Sequence, residues 1–178
     1  MPHLSLHSPI GDLTLFEQDG HLVALDWRWE NGTTETPLLA EGRRQLQDYF
    51  AGRRRDFDLP LNPAGSAFQQ RTWLALRDIP CGQTRSYGEL AEQLGSAPRA
   101  VGGACAKNPL PVIIPCHRVR ADDRSLGGYS GKDGIKTKRL LLDLEHAGHR
   151  NTRPVVFQAR INHKGTKTRR DESRDEGP

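Results

Sequence analysis

No stretch of this 178-residue chain approaches the length of an apolar helix that crosses a bilayer. The opening MPHLSLHSPIG also lacks the charged-then-apolar order of a secretory signal, so a cytoplasmic protein with no membrane association is expected. Cysteine is scarce: Cys81, Cys105 and Cys116 make an odd set with no C-x-x-C pair, which argues against a disulfide framework and suits a reducing compartment. The same spacing gives no basis for a metal centre. No internal repeat is visible, and the length allows one moderate domain with a small appendage.

The net charge of +4 suggests an anionic partner, but its distribution weakens that inference. Residues 150–178 hold eight Lys/Arg against four Asp/Glu, whereas residues 1–149 carry eighteen of each sign. The excess belongs to the tail, and any nucleic-acid surface on the body must come from local clustering. Beyond Asn151 a single apolar run, Val155-Val156-Phe157, is too little to order a polar, charge-mixed segment.

Periodicity predicts two units. In residues 1–60, short apolar runs broken by Pro-Ile-Gly and Gln-Asp-Gly turns read as two or three antiparallel strands. Thr36 and Pro37 then open a helix carrying Leu38, Leu39, Leu46, Tyr49 and Phe50 and ending near Gly52. LPLNPAG (59–65) reads as a linker. Ser66 caps a helix with a stripe of Phe68, Trp73, Leu74 and Leu76, stopping at Pro80. CGQTRS is a turn or short bridging segment. Ser86 and Glu89 have capping-box spacing ahead of Tyr87, Leu90, Ala91 and Leu94. A second helix runs from Pro98 through Lys107, and the pair joined around Gly95 matches a helix-turn-helix. A buried run, Val112-Ile113-Ile114, leads to Cys116. The polar loop RADDRSLGGYSG follows, and a last helix spans roughly Asp133 to His146, with Ile135, Leu140, Leu141, Leu142 and Leu144 apolar and Gly148 at its end.

Cys116 and His117 are the residues most able to do chemistry. A cysteine behind three aliphatics is either a small core hydrophobe or, at the exposed end of a buried strand, a nucleophile. Pro115 ends strand pairing, His117 is a possible base, and Arg118 adds positive charge that favours a thiolate. Adjacent residues on an extended chain face opposite ways, so direct contact between Cys116 and His117 needs a bend after Pro115 or a bridging water. Glu145 is the candidate acceptor that orients His117, unless it is an ordinary solvated carboxylate. In PRAVGGACAKN the many small residues lower helix propensity but permit close approach, either to another helix or to a DNA groove. Arg99 can reach a phosphate or a base stack, or be a solvated charge.

TRSYGELAEQLGSAPRAVGGACAKNPLPVIIPCHRV, followed by GGYSG and LLLDLEHAG, closely resembles the methylated-DNA–protein-cysteine methyltransferases, or O6-alkylguanine-DNA alkyltransferases. The likeness covers about residues 68–148, nearly half the chain. It implies an α+β protein: a small N-terminal α/β domain of ribonuclease-H-like type (1–62) and a mostly helical helix-turn-helix domain with the active cysteine (63–150); the tail (151–178) has no counterpart in the resemblance, and its composition predicts disorder. The resemblance further implies direct DNA repair, in which an alkyl group moves irreversibly from O6-alkylguanine, and also O4-alkylthymine, to Cys116. One molecule then repairs one lesion.

By the same resemblance Cys116 is the acceptor, and His117, through a water, and Glu145 make it a thiolate. Asn108 ties the reading helix to the active segment. Arg99 fills the space of the flipped base, and Tyr87 contacts the nucleotide and its 3′ phosphate. Tyr129 and Ser130 close over the base, and the Val119 carbonyl accepts from the guanine amino group. Ala100, Gly103, Lys107 and Arg118 complete the DNA-binding set. The partner is double-stranded DNA bound by a monomer, with no cofactor and no metal. The first 60 residues hold no cysteine, which leaves a zinc site of the kind some relatives carry there unsupported. Cys105 stands in the reading helix, where a small or thioether residue would be more ordinary. The competing functions are a non-catalytic protein that recognises alkylguanine and recruits repair factors, a transcription regulator and a cysteine hydrolase. The first of these lacks an acceptor cysteine, and a stable thioether product forbids the turnover required by the last.

Overall fold

The computed structural model describes residues 1–151, so the expectation for the tail beyond Asn151 lies outside the described residues. The N-terminal unit is a meander of β1 (His3–Leu6), β2 (Leu13–Gln18) and β3 (His21–Asp26), antiparallel in the order β1-β2-β3. The Gln-Asp-Gly turn closes the β2–β3 hairpin with Asp19 and Gly20 both at positive φ, the geometry that matches the twist of the flanking strands. Alternation puts Leu13 and Leu15 of β2 on one face, a β-bulge in β3 opposite Phe16 and Glu17 brings both Leu22 and Leu25 to that face, and α1 (Pro37–Phe50) covers it with Leu39, Leu46 and Tyr49. Gly42 lets the helix come down: a Cβ there would sit 2.9 Å from Leu15 Cδ1. Each leucine so buried stabilises by roughly 1.5–3 kcal/mol.

Thr36 caps α1 as its side chain accepts from Leu39 N, with Pro37 in the first turn. The 59–65 segment is not a free linker. Leu22 N–H donates to Pro60 O and Asn62 N–H to Leu22 O, both at 2.9 Å, which lays the segment along the edge of β3.

The second half contains α2 (Ala67–Arg77), β4 (Arg85–Ser86), α3 (Tyr87–Leu94), α4 (Pro98–Ala106), a 3-10 turn (Cys116–Arg118), β5 (Val119–Arg120) and α5 (Ile135–Asn151). Full capping boxes at Ser66/Gln69 and Ser86/Glu89 start α2 and α3. Gly95, left-handed at φ 65°, turns α3 into α4 and completes the helix-turn-helix. Trp73, 2 % exposed, fastens α2 to α4 by donating from Nε1 to the Ala104 carbonyl at 2.9 Å. The CGQTRS segment ends in β4, which pairs in parallel with β5 and brings the reading helices beside the active segment. The core is continuous across the two halves, and Leu25 N–H donates to Pro109 O. No helix among the described residues is long and apolar enough to cross a membrane.

Several sequence expectations need correction. Leu74 is 60 % exposed because the buried face of α2 runs through Thr72, Trp73 and Leu76, which turns residue 74 outward. Ile135 and Leu140 likewise face out of α5, whereas Leu141 is fully buried. The last helix begins at Ile135 because Asp133 and Gly134 are both left-handed, and it runs past Gly148 to Asn151. A helical glycine costs only about 1 kcal/mol relative to alanine and does not itself stop a helix.

Candidate active site

Cys116 is not at the exposed end of a strand. The chain from Pro109 to Pro115 is an irregular buried segment punctuated by three prolines, with one isolated bridge between Pro111 and Ile114. Val112 sits at φ 74°, a region that disfavours a β-branched residue and costs of order 1–3 kcal/mol. Pro115 (φ −83°, ψ 67°) centres an inverse γ-turn in which Cys116 N–H donates to Ile114 O at 2.8 Å. The 3-10 turn follows at once. This is the bend that adjacent active residues require, and it sends Cys116 and His117 in different directions.

Asn108 holds the bend together. Its Nδ2 donates to Ile114 O at 2.8 Å and to Cys116 Sγ at 3.2 Å, and its Oδ1 accepts from Leu110 N at 2.9 Å. Cys116 is 5 % exposed. Burial pushes its thiol up; the Asn108 donor, then the Lys138 charge, pull the other way. The resting sulfur is therefore a protonated thiol with aids to ionisation beside it.

Behind the cysteine lies a buried ionic network centred on Glu145. Its Oε2 accepts from His117 Nε2 at 2.6 Å, Tyr49 OH at 2.5 Å and one Arg118 nitrogen at 2.9 Å; its Oε1 accepts from Arg118 Nε at 2.9 Å. Burial alone would raise this carboxyl, but His117 and then Arg118 outweigh it and hold it well below the usual carboxylate range. Desolvation outweighs Glu145 at His117 and lowers its pKa, leaving a neutral imidazole. Because Nε2–H donates to a carboxylate, Nδ1 carries the lone pair, and this buried atom has no hydrogen-bond partner among the described residues. The arrangement is an oriented base.

Arg118 requires a second correction. It neither faces DNA nor lends its charge to the thiol: it is 5 % exposed, clamps Glu145 with two nitrogens and donates from a third to Ile79 O at 2.7 Å. A guanidinium so committed is a structural counter-ion.

In front of Cys116 opens a cavity of about 610 Å³, between α4 and the loop after β5. Tyr87, Arg99, Tyr129 and Ser130 line it with the cysteine, as does Cys105, which is thereby part of the wall. Tyr87 is half-buried, and burial, with smaller contributions from Cys105 and Cys116, pushes its hydroxyl up to about 12. It is a hydrogen-bond donor that stays protonated. Tyr129 is pushed up by burial as well, and its buried hydroxyl has no hydrogen-bond partner among the described residues.

Ala100, Gly103 and Lys107 lie outside the cavity on the exposed side of α4, while Val101, Ala104 and Cys105 face the core. A Cβ on Gly103 would meet nothing within 4 Å, so helix packing does not demand its small size. The bare face is open to an approaching surface. Val119 is fully buried in β5, opposite Arg85, and its side chain lies outside the cavity.

Two residues escaped the sequence reading. Tyr49, 96 positions before Glu145, carried no local sign of its hydroxyl's partner. Lys138 did: it falls on the core-facing stripe of α5 with Leu141 and Glu145, where a charge needs an explanation.

These features define a class: a helix-turn-helix protein that presents one thiol, backed by an imidazole–carboxylate pair, on the floor of a cavity beside its reading helix. Residues 67–147 match the DNA binding domain, and residues 3–63 the ribonuclease-like domain, of 6-O-methylguanine DNA methyltransferase. The constitutive methylated-DNA–protein-cysteine methyltransferase of Bacillus subtilis is 40 % identical over 161 residues, covering 83 % of this chain and 97 % of the relative. That of Mycolicibacterium paratuberculosis is 47 % identical over 150 residues, covering 79 % and 90 %. The crystal structure of Mycobacterium tuberculosis OGT in complex with DNA superposes with a TM-score of 0.76 at 42 % identity, covering 83 % of this chain and 94 % of that one. The chain belongs to the methylated-DNA–protein-cysteine methyltransferase family.

Proposed function

We propose that this protein repairs double-stranded DNA by moving a methyl or larger alkyl group from O6 of guanine to its own Cys116, once per molecule. The observation that carries the reading is the Cys116 thiol on the cavity floor, with an Asn108 donor on its sulfur and a neutral His117, oriented by the Glu145 carboxylate, behind it. The exposed small-residue face of α4 approaches the duplex, Arg99 takes the place of the extruded base, and the base enters the cavity beneath Tyr129 and Ser130.

The chemistry balances without a cofactor. The thiol proton passes through one water to His117 Nδ1, and Glu145 stabilises the imidazolium so formed. Sulfur attacks the alkyl carbon as the C–O6 bond breaks and its electron pair enters the purine. Tyr87 donates a hydrogen bond to the purine as that charge develops. The product is a thioether, and no group in the cavity can cleave it. Residues 1–62 act as the supporting unit and 63–150 as the reading and reacting unit, with the reaction placed in the cytoplasm.

The test is intact and peptide mass spectrometry after mixing the protein with excess duplex bearing one O6-methylguanine. One methyl on the Cys116 peptide, stopping at one per molecule, is the expected result. Unmodified protein that still binds the lesion would overturn the transfer reading in favour of recognition alone.

A further inference from the structure

Lys138 is fully buried on α5, two turns before Glu145 and on the same face. Its Nζ donates to the carbonyls of Leu126 and Gly128, the latter at 3.0 Å, and lies 5.9 Å from the centre of the Tyr87 ring. Gly128 and Tyr87 both line the cavity that holds Cys116. One ammonium therefore joins the loop to the tyrosine of α3, and both of these line the cavity. A buried cation ordinarily has a carboxylate beside it, because desolvating an unpaired charge is costly. Lys138 forms no ion pair with a carboxylate among the described residues.

We propose that Lys138 is a positioning residue of the transfer reaction, which pins residues 126–128 at the cavity and whose buried ammonium is the counter-ion of the Cys116 thiolate. This rests on the reading of Cys116 as the acceptor. Two carbonyls satisfy two of the three ammonium donors but leave the net charge uncompensated. Ionisation of the thiol supplies the missing negative charge at the moment of attack. The electrostatic direction agrees: burial lowers the Lys138 pKa, the nearby Cys116 and then Cys105 raise it, and Lys138 in turn lowers that of Cys116. α5 thus works on both sides of the active segment. Glu145 steadies the base that takes the proton, and Lys138 steadies the sulfur that loses it.

The pH profile of Cys116 alkylation by iodoacetamide tests this without DNA. The groups facing that thiol are Asn108, Cys105 on α4, Tyr87 on α3, Tyr129 on the loop and Lys138 on α5, with His117 the next residue in the chain. Lys138→Met keeps the aliphatic stem and removes the charge. It should move the profile's midpoint up by about one unit and slow alkylation near neutral pH about tenfold. Lys138→Arg should restore most of the midpoint. A midpoint unchanged in Lys138→Met overturns the counter-ion role even if transfer from DNA slows, since a loop anchor alone does not shift a thiol pKa. If the methionine variant does not fold, the wild-type protein decides. The Lys138 ammonium, followed by NMR, should titrate at lower pH after Cys116 is S-methylated, and an identical titration before and after overturns the proposal. Failure of the wild-type protein to accept a methyl from DNA would instead remove the repair function and leave the iodoacetamide and NMR results standing.

Discussion

Replacing Glu145 with glutamine should destabilise this protein far more than the loss of one surface charge would. Three donors converge on Oε2, from His117, Tyr49 and Arg118, and a fourth from Arg118 meets Oε1. An amide nitrogen placed at Oε2 would face three donors; turned the other way, it would face the Arg118 Nε–H. Neither orientation satisfies the site, and both leave the Arg118 guanidinium buried without a counter-charge. Breaking one partner of a buried pair costs about 3–5 kcal/mol. At roughly 2–4 °C per kcal/mol for a domain of this size, the melting temperature should fall by about 6–20 °C. Against a total stability of about 5–15 kcal/mol this is a large fraction. Thermal and urea unfolding measure it, and the added change Arg118→Met shows its origin. Without the stranded charge, the double variant should recover part of the loss, giving a favourable coupling between the two positions. A cost below about 1 kcal/mol, or a double variant whose losses simply add, would refute the account of Glu145 as the centre that neutralises Arg118.

The same network sets the acid limit. The folded pKa of His117 lies below its unfolded value of about 6.5, and that of Glu145 below about 4.3, so the unfolded chain binds more protons in both ranges. Stability should be full above about pH 6.5, fall as His117's unfolded form protonates, and fall again below about pH 4.3. Urea midpoints from pH 7.5 to 4 check this, and His117→Gln should flatten the upper part. Asn108→Ala removes the Sγ donor and the pin on Ile114; it should cost about 1–3 kcal/mol and raise the Cys116 thiol pKa, which an unchanged rate of iodoacetamide alkylation against pH would contradict. On α2, Leu74→Gln should stay within about 0.5 kcal/mol of the parent while Leu76→Ala costs about 2–5 kcal/mol. Equal effects in urea unfolding would mean that the buried face of this helix is misassigned.

Local chemistry made much of the architecture legible in the sequence. Thr36, Ser66 and Ser86 cap helices because a short oxygen side chain satisfies the first free amides wherever it precedes a helical run. Gly95 marks the turn of the reading motif because the left-handed geometry suits it, and the Pro-Cys-His-Arg-Val run points to Cys116 as the candidate for chemistry. What failed was direction. Leu74 falls on the apolar stripe of its helix and Leu140 is one of several leucines in α5, yet both face solvent, because which face of a helix is buried depends on what packs against it. Adjacency to Cys116 links Arg118 to the thiol, and the family resemblance links it to DNA. The 3-10 turn sends it to Glu145, 27 positions away, where its charge offsets a buried carboxylate. Tyr49 and Lys138 entered the site in the same way, through contacts between elements far apart in the chain. The sequence by itself determined the capped starts of α1, α2 and α3, the turns and the thiol proposed as nucleophile, because capping, left-handed glycine and thiol chemistry are properties of a few neighbouring atoms. Only the tertiary structure decided which charges are buried and with what partners, because desolvation and ion pairing depend on groups that folding brings together from distant positions.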